Sequence, residues 1–286
     1  MKQIEKIGIV GSGTMGAGIA QLMIQYGYTV IIYDIDLETV DRAKAAIESR
    51  LDRLVQKNRA SAQEIKEMKE NLQTTADLSE LHDCQLIIEA APENIEIKRS
   101  IFRTLEEVCF KDTILATNTS SLSITEISGQ IQTPKRVAGF HFFNPAPVMP
   151  LVEVVRGLKT SSETVETLVE FAKKIRKSPV VCKDTPGFIV NRVARPFYGE
   201  ALKIMNDQVA DVKQIDRIMK MAGNFKMGPF ELQDLIGIDV NFAVTKSVHN
   251  SFYGEPRFRP HYLQERMVQA GSLGRKTKGG FFSYDT

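Results

Sequence analysis

The stretch "KIGIVGSGTMGAGIAQ", residues 6–21, narrows the choice of fold more than any other part of the chain. A short apolar run leads into a glycine-rich loop, and a helix-like apolar pattern follows it. Gly11, Gly13 and Gly16 stand in the order G-x-G-x-x-G. In such a loop the first glycine permits a tight turn and the second lets the backbone approach a pyrophosphate. The third lets the helix pack closely on the strand. Thr14 and Met15 fall at the helix start, where unpaired N–H groups and the positive end of the helix dipole favour an anion. The glycine pattern is common by itself, and its neighbours give it force. A strand precedes it, a helix follows, and the next apolar run, "TVIIYD", ends on Asp34. A carboxylate at that point accepts hydrogen bonds from an adenosine ribose and repels a 2′-phosphate, which favours NAD over NADP. The competing reading is an ordinary strand-to-helix turn with a solvated Asp34.

The rest of the first two-thirds keeps the same alternation. Residues 6–10, 29–34, 85–90 and 113–117 read as buried strands, short and rich in β-branched side chains. Val40, Ala43, Ile47, Leu51 and Leu54 recur at steps of three and four, the signature of a helix with one apolar face. The long connection from 35 to 84 holds that helix, a second near "SAQEIKEMKENL" and a short strand around 72–75. Further strands are expected at 136–143, 151–155 and 179–183, with a helix over 161–176. This order predicts an α/β fold: a Rossmann-like, mostly parallel sheet with helices on both faces. After "KDTPGFIVNR" the pattern turns helical, over about 187–206, 211–222, 229–249 and 260–270. "MGPFEL" has the form of a helix start, with Pro229 in the first turn and Glu231 just inside it. The expected domains are therefore 1–185, binding the dinucleotide, and 186–286, all-helical, closing on substrate and forming a dimer.

Composition excludes several other functions. Thirty-seven basic against 35 acidic residues leave almost no net charge, so nothing suggests a nucleic-acid partner. Cys84, Cys109 and Cys182 are odd in number, widely spaced and without metal-ligand spacing, which argues against a disulfide framework or a metal site. No run of 18 apolar residues offers a membrane span, and the first strand begins too early to leave room for a signal peptide. A cytoplasmic protein is the expectation.

The stretch "GFHFFNPAPVMPLVEVV", residues 139–155, poses a separate problem. It places His141 and Glu153 in two runs that are otherwise built for burial, where an unpaired carboxylate costs several kcal/mol. The connector 144–150 is too short for a parallel crossover, so the two strands should run antiparallel. His141 and Glu153 lie equally far from that connector and so become cross-strand neighbours, with Cβ atoms about 4.5–5.5 Å apart. A carboxylate beside an imidazole fixes its tautomer and stabilises the imidazolium formed when it takes a proton. Oxidation of an alcohol by NAD needs such a base. The plainer reading is a buried ion pair or a core histidine.

Together, "GSGTMGAGIAQ", "EAAPENIEIK", "ATNTSSL", "GFHFFNPAPVMPLVEVV", "DTPGFIVNR" and "MGPFELQDLIGID" resemble the short-chain L-3-hydroxyacyl-CoA dehydrogenases, and the likeness runs to "GRKTKGGFFSY" at the end. Chains of this length look most like the bacterial 3-hydroxybutyryl-CoA dehydrogenases. The resemblance implies that His141 is the base and Glu153 its partner. It implies that Ser120 and Asn191 hydrogen-bond the 3-oxygen or thioester of the substrate, and that Glu93, Lys98 and Asn118 contact the cofactor. Taken without it, Ser120 reads as a cap for the helix at "SITEIS", and Asn191 as a capping or interface residue.

Arg50, Arg53 and Lys57 share one helix face by spacing. The resemblance favours Lys57, with Arg53, as a contact for the phosphates of CoA; a solvated basic face is the alternative. The expected protein is thus a homodimeric, NAD-dependent dehydrogenase of short (S)-3-hydroxyacyl-CoA esters. Two other readings remain open: a dehydrogenase of a free 3-hydroxy acid of the L-gulonate type, and a non-catalytic NAD-binding structural or sensor protein.

Overall fold

The computed structural model describes residues 3–284. By its internal contacts the chain separates into two compact units that divide between Thr185 and Pro186.

The first unit is built from β1 (Lys6–Val10), α1 (Thr14–Gln25), β2 (Thr29–Tyr33), α2 (Leu37–Gln56), α3 (Ala62–Glu70), β3 (Leu72–Thr75), β4 (Leu86–Glu89), α4 (Ile95–Val108), β5 (Ile114–Thr117), α5 (Ile124–Ser128), β6 (Val137–Phe142), β7 (Leu151–Arg156), α6 (Ser162–Lys174) and β8 (Ser178–Lys183). Among the described residues the strands form one sheet in the order β3-β2-β1-β4-β5-β6-β7-β8. From β3 to β6 all neighbours are parallel, β6 and β7 are antiparallel, and β8 returns parallel to β7. The order reverses direction at β1, so the loop after β1 opens at the switch point where such sheets bind ligands.

Local sequence explains the elements. Asp36 starts α2 by accepting the Thr39 N–H, and Val40, Ala43, Ile47 and Leu51 then turn its apolar face inward. Ser61 with Glu64 forms a reciprocal cap on α3. Alternate strand residues, among them Ile7, Ile9, Val30, Ile88, Phe140 and Val154, join side chains of α1, α2, α3 and α6 in one core. On the opposite face α5 packs against β6, and α4 packs against α5. There Gly139 of β6 is needed: a Cβ would stand 2.7 Å from the Val155 Cβ and 2.9 Å from Ile124 of α5. Period-two alternation puts His141 and Glu153 on this second face, with Gly139 and Val155.

The second unit carries α7 (Val190–Asn206), α8 (Val212–Met221), α9 (Pro229–Ile236), α10 (Ile238–Ser251) and α11 (Tyr262–Gln269). Isolated bridges at Gly274–Gly279 and Gly279–Ser283 follow the helices. Ala201, Leu202, Ile215 and Phe230 centre a small core against Phe281 and Phe282. One expectation needs correction: 229–249 is not one helix. It breaks at Gly237, whose φ of 101° lies outside any helix and outside what a residue with a Cβ readily adopts. Gly237→Ala should therefore lower unfolding free energy by about 1–3 kcal/mol, read by chemical denaturation.

Candidate functional site

The glycine loop has the form that an anion at a helix N-terminus requires. Gly11 takes a φ of 102°, and a Cβ there would sit 2.7 Å from the Ala90 carbonyl oxygen. A Cβ on Gly16 would collide with the carbonyl oxygen of Gly11. Gly13 differs: among the described residues nothing lies within 4 Å of where its Cβ would be. The fold itself therefore does not demand glycine at 13, whereas a ligand approaching the backbone does. Gly13 also heads α1 without a side-chain cap, and the first turn, from Thr14 through Met15, carries no acid. Asp34 is tied to this loop, its Oδ2 accepting the Ser12 N–H at 2.8 Å and the Ser12 hydroxyl at 2.7 Å. Its Oδ1 accepts the Ile35 N–H at 2.9 Å. An uncapped helix start, an open Gly13 and a fixed carboxylate fit the pyrophosphate and ribose of NAD.

His141 and Glu153 face each other across the antiparallel pair, directly in register. The His141 Nδ1 lies 2.7 Å from the Glu153 Oε2, with His141 5 % and Glu153 1 % exposed. The connector between their strands is clamped by a residue the sequence did not single out. Lys177, buried and with its pKa pushed down by that burial, donates to the Ala146 carbonyl at 2.7 Å and the Met149 carbonyl at 2.8 Å.

Ser120 lies in the loop after β5, and the cap of α5 is Ser123, not Ser120. The loop is held by Glu93. Its Oε1 accepts the Thr119 hydroxyl at 2.6 Å and the Ser120 and Ser121 N–H groups at 3.1 and 3.2 Å. Asn118 joins the loop to its neighbours: its N–H donates to the Glu89 carbonyl at 2.7 Å, and its Oδ1 accepts the Phe142 N–H at 2.8 Å, one residue beyond His141. Lys98 is 1 % exposed and paired with Glu89 at 2.6 Å, with Glu93 Oε2 at 3.5 Å. Glu89, fully buried at the end of β4, is another residue that sequence reasoning missed. The signal was available: like Glu153, it is a carboxylate set among apolar residues, here at the end of the run in "QLIIEA".

The basic face of α2 is not uniform. Arg50 turns inward, its Nε donating to the Gln21 Oε1 at 2.7 Å, and burial and Arg53 push its pKa down. Arg53 and Lys57, at the end of α2, are exposed. In the second unit Asn191 is the second residue of α7, and its carbonyl oxygen accepts from the Arg195 Nε at 3.1 Å. Arg195 is itself anchored to α10, its Nη1 donating to the Asn241 carbonyl at 2.9 Å and the Thr245 hydroxyl at 3.0 Å. Burial pushes its pKa down to about 10.

A switch-point glycine loop, an acidic residue after β2 and a histidine–carboxylate pair thus lie on one sheet. Residues 6–185 match the NAD binding domain of 3-hydroxyacyl-CoA dehydrogenase, and residues 187–284 match the C-terminal domain of the same family. The 3-hydroxyadipyl-CoA dehydrogenase of Escherichia coli (strain K12) is 48 % identical over 284 residues, 99 % of this chain and 60 % of that protein. The 3-hydroxybutyryl-CoA dehydrogenase of Clostridioides difficile is 43 % identical over 280 residues, 98 % of this chain and 99 % of that one. Among solved structures, a 3-hydroxybutyryl-CoA dehydrogenase from Escherichia coli K12 superposes with a TM-score of 0.96 at 47 % identity, covering 99 % of this chain and 60 % of that one. The chain belongs to the 3-hydroxyacyl-CoA dehydrogenase family and has that family's NAD-binding domain.

Glu93 gives the site a measurable pH signature. Burial pushes its carboxyl up, but Lys98 and the hydrogen bonds from Thr119, Ser121 and Ser120 outweigh that and hold it below the usual glutamate range. A carboxyl depressed on folding adds stability above its unfolded pKa, about 4.3, and loses it as pH falls through the folded value. The difference in Tm between wild type and Glu93→Gln should be largest above about pH 5 and close as pH drops below about 4. A difference that does not vary with pH would contradict this.

Proposed function

We propose that the protein catalyses the reversible NAD-dependent oxidation of short (S)-3-hydroxyacyl-CoA esters, such as 3-hydroxybutyryl-CoA, to 3-oxoacyl-CoA. The observation that carries this reading is the 2.7 Å contact between His141 and Glu153 on the sheet that bears the glycine loop. Bound NAD supplies the hydride acceptor. With Nδ1 directed at Glu153, the ring nitrogen that takes the proton from the 3-hydroxyl is Nε2. Glu153 holds the imidazole in that tautomer and stabilises the imidazolium, and its burial strengthens the interaction. In the reducing direction the same nitrogen returns the proton.

Ser120 and Asn191 hydrogen-bond the 3-oxygen or thioester of the substrate. Gly11, Gly13, Gly16, Thr14 and Met15 receive the pyrophosphate, Asp34 the adenosine ribose, and Glu93, Lys98 and Asn118 surround the rest of the cofactor. The exposed Arg53 and Lys57 attract the phosphates of CoA. The second unit forms the homodimer in this reading, with Val193, Ile218 and Met221, 69 %, 59 % and 78 % exposed, among the apolar side chains that a partner could cover.

The 48 % identity to a 3-hydroxyadipyl-CoA dehydrogenase favours a second reading in which the acyl chain ends in a carboxylate. Comparing kcat/KM for the two esters decides between them. Activity on a free 3-hydroxy acid with none on the thioester would overturn both.

In an assay at about 340 nm with acetoacetyl-CoA and NADH, His141→Ala should lower kcat by at least about a hundredfold while NADH still binds. A variant with near-wild-type kcat would remove the base assignment. Light scattering at micromolar concentration should give a dimer; a monomer contradicts the oligomeric part.

A further inference from the structure

We propose that Glu89 is a positioning residue for the loop that carries Ser120, acting through Lys98 and Glu93. The inference rests on the dehydrogenase reading above and adds a residue to its machinery.

Glu89 closes β4 and is fully buried. Its Oε1 accepts from the Lys98 ammonium at 2.6 Å and the Ala91 N–H at 2.7 Å, and its Oε2 accepts the Thr117 hydroxyl at 2.6 Å. Thr117 closes β5, and its Oγ1 accepts the Thr119 N–H at 3.2 Å, so Glu89 grips the root of the Ser120 loop. Glu93 grips the tip through its Oε1. Lys98 stands between the two carboxylates and reaches the Ala91 carbonyl at 3.2 Å. Both ends of the loop therefore depend on one buried ammonium.

Such a pair contributes little net stability, because desolvation offsets most of the attraction. Its effect is geometric. With Glu89 and Lys98 fixed at 1 % exposure or less, the more exposed Glu93 is held by Lys98 and by the loop groups that donate to it, and the N–H groups of Ser120 and Ser121 follow it. A displacement of a fraction of an ångström at Ser120 is enough to misalign a substrate oxygen. Lys98, surrounded by three protein oxygens, serves a bound cofactor through this arrangement.

The test is a cycle of Glu89→Gln, Glu93→Gln and the double variant, with kcat/KM for acetoacetyl-CoA, NADH affinity and Tm measured on each. Turnover of acetoacetyl-CoA by the wild type comes first; its absence refutes the dehydrogenase reading, and the cycle then tests the positioning role separately. If Glu89 acts through Glu93, each single variant loses about tenfold or more in kcat/KM, and the double variant is no more than about threefold worse than the poorer single. NADH affinity in Glu89→Gln stays within about threefold of wild type. Multiplying losses would overturn the proposal, as would unchanged kcat/KM in a folded Glu89→Gln enzyme or a loss confined to NADH binding. Should Glu89→Gln fail to fold, Glu89→Gln/Lys98→Met removes both charges together and takes its place in the kcat/KM cycle at saturating NADH, without the NADH-affinity criterion because Lys98 is itself placed against the cofactor.

Discussion

A carboxylate with 1 % exposure inside a sheet survives only if another group answers its charge, and for Glu153 that group is His141. Much of the first unit makes this contact possible. The β6–β7 pair must be antiparallel and in one register, because a slip of one residue in either strand would turn its side chain to the face away from its partner. Gly139 lets α5 approach that same face, and Lys177 clamps the connector that sets the register. Removing either partner of the pair would leave a buried polar group uncompensated, at a cost of about 3–5 kcal/mol. Structure and chemistry thus place the same demand on two residues.

The same rule recurs along the carboxyl ends of the parallel strands. Asp34 follows β2 and answers to Ser12, Glu89 ends β4 and answers to Lys98 and Thr117, and Glu93 answers to Lys98 and the Ser120 loop. Each acid is fixed by donors from a neighbouring element, so the site is assembled by hydrogen bonds between loops that are far apart in sequence. Asn118 links two of these groups, with its backbone on β4 and its side chain on the strand that carries His141.

Most of this fold was legible in the sequence because buried parallel strands are written as short β-branched runs, and glycine spacing marks the switch-point loop. The hairpin was legible too, since seven connecting residues are too few for a crossover. Partners were harder to read. Glu89 falls within the run 85–90 with nothing in the sequence to mark its partners, and only the structure shows Lys98 and Thr117 converging on it. Spacing put Arg50 with Arg53 and Lys57, but it could not show that Arg50 bends back to Gln21. The break at Gly237 was hidden because the residues on either side keep a helical pattern, and a single glycine is tolerated in many helices. Ser120 and Asn191 carried little local signal of chemistry, and resemblance supplied most of the reason to single them out.

The central claim is that Glu153 makes His141 a base, and Glu153→Gln tests it most directly, since it keeps the shape of the side chain and removes its charge. Steady-state turnover of acetoacetyl-CoA by the folded variant should fall by about a hundredfold or more, with NADH affinity unchanged. A folded Glu153→Gln enzyme with wild-type kcat would show that the buried pair serves the fold alone.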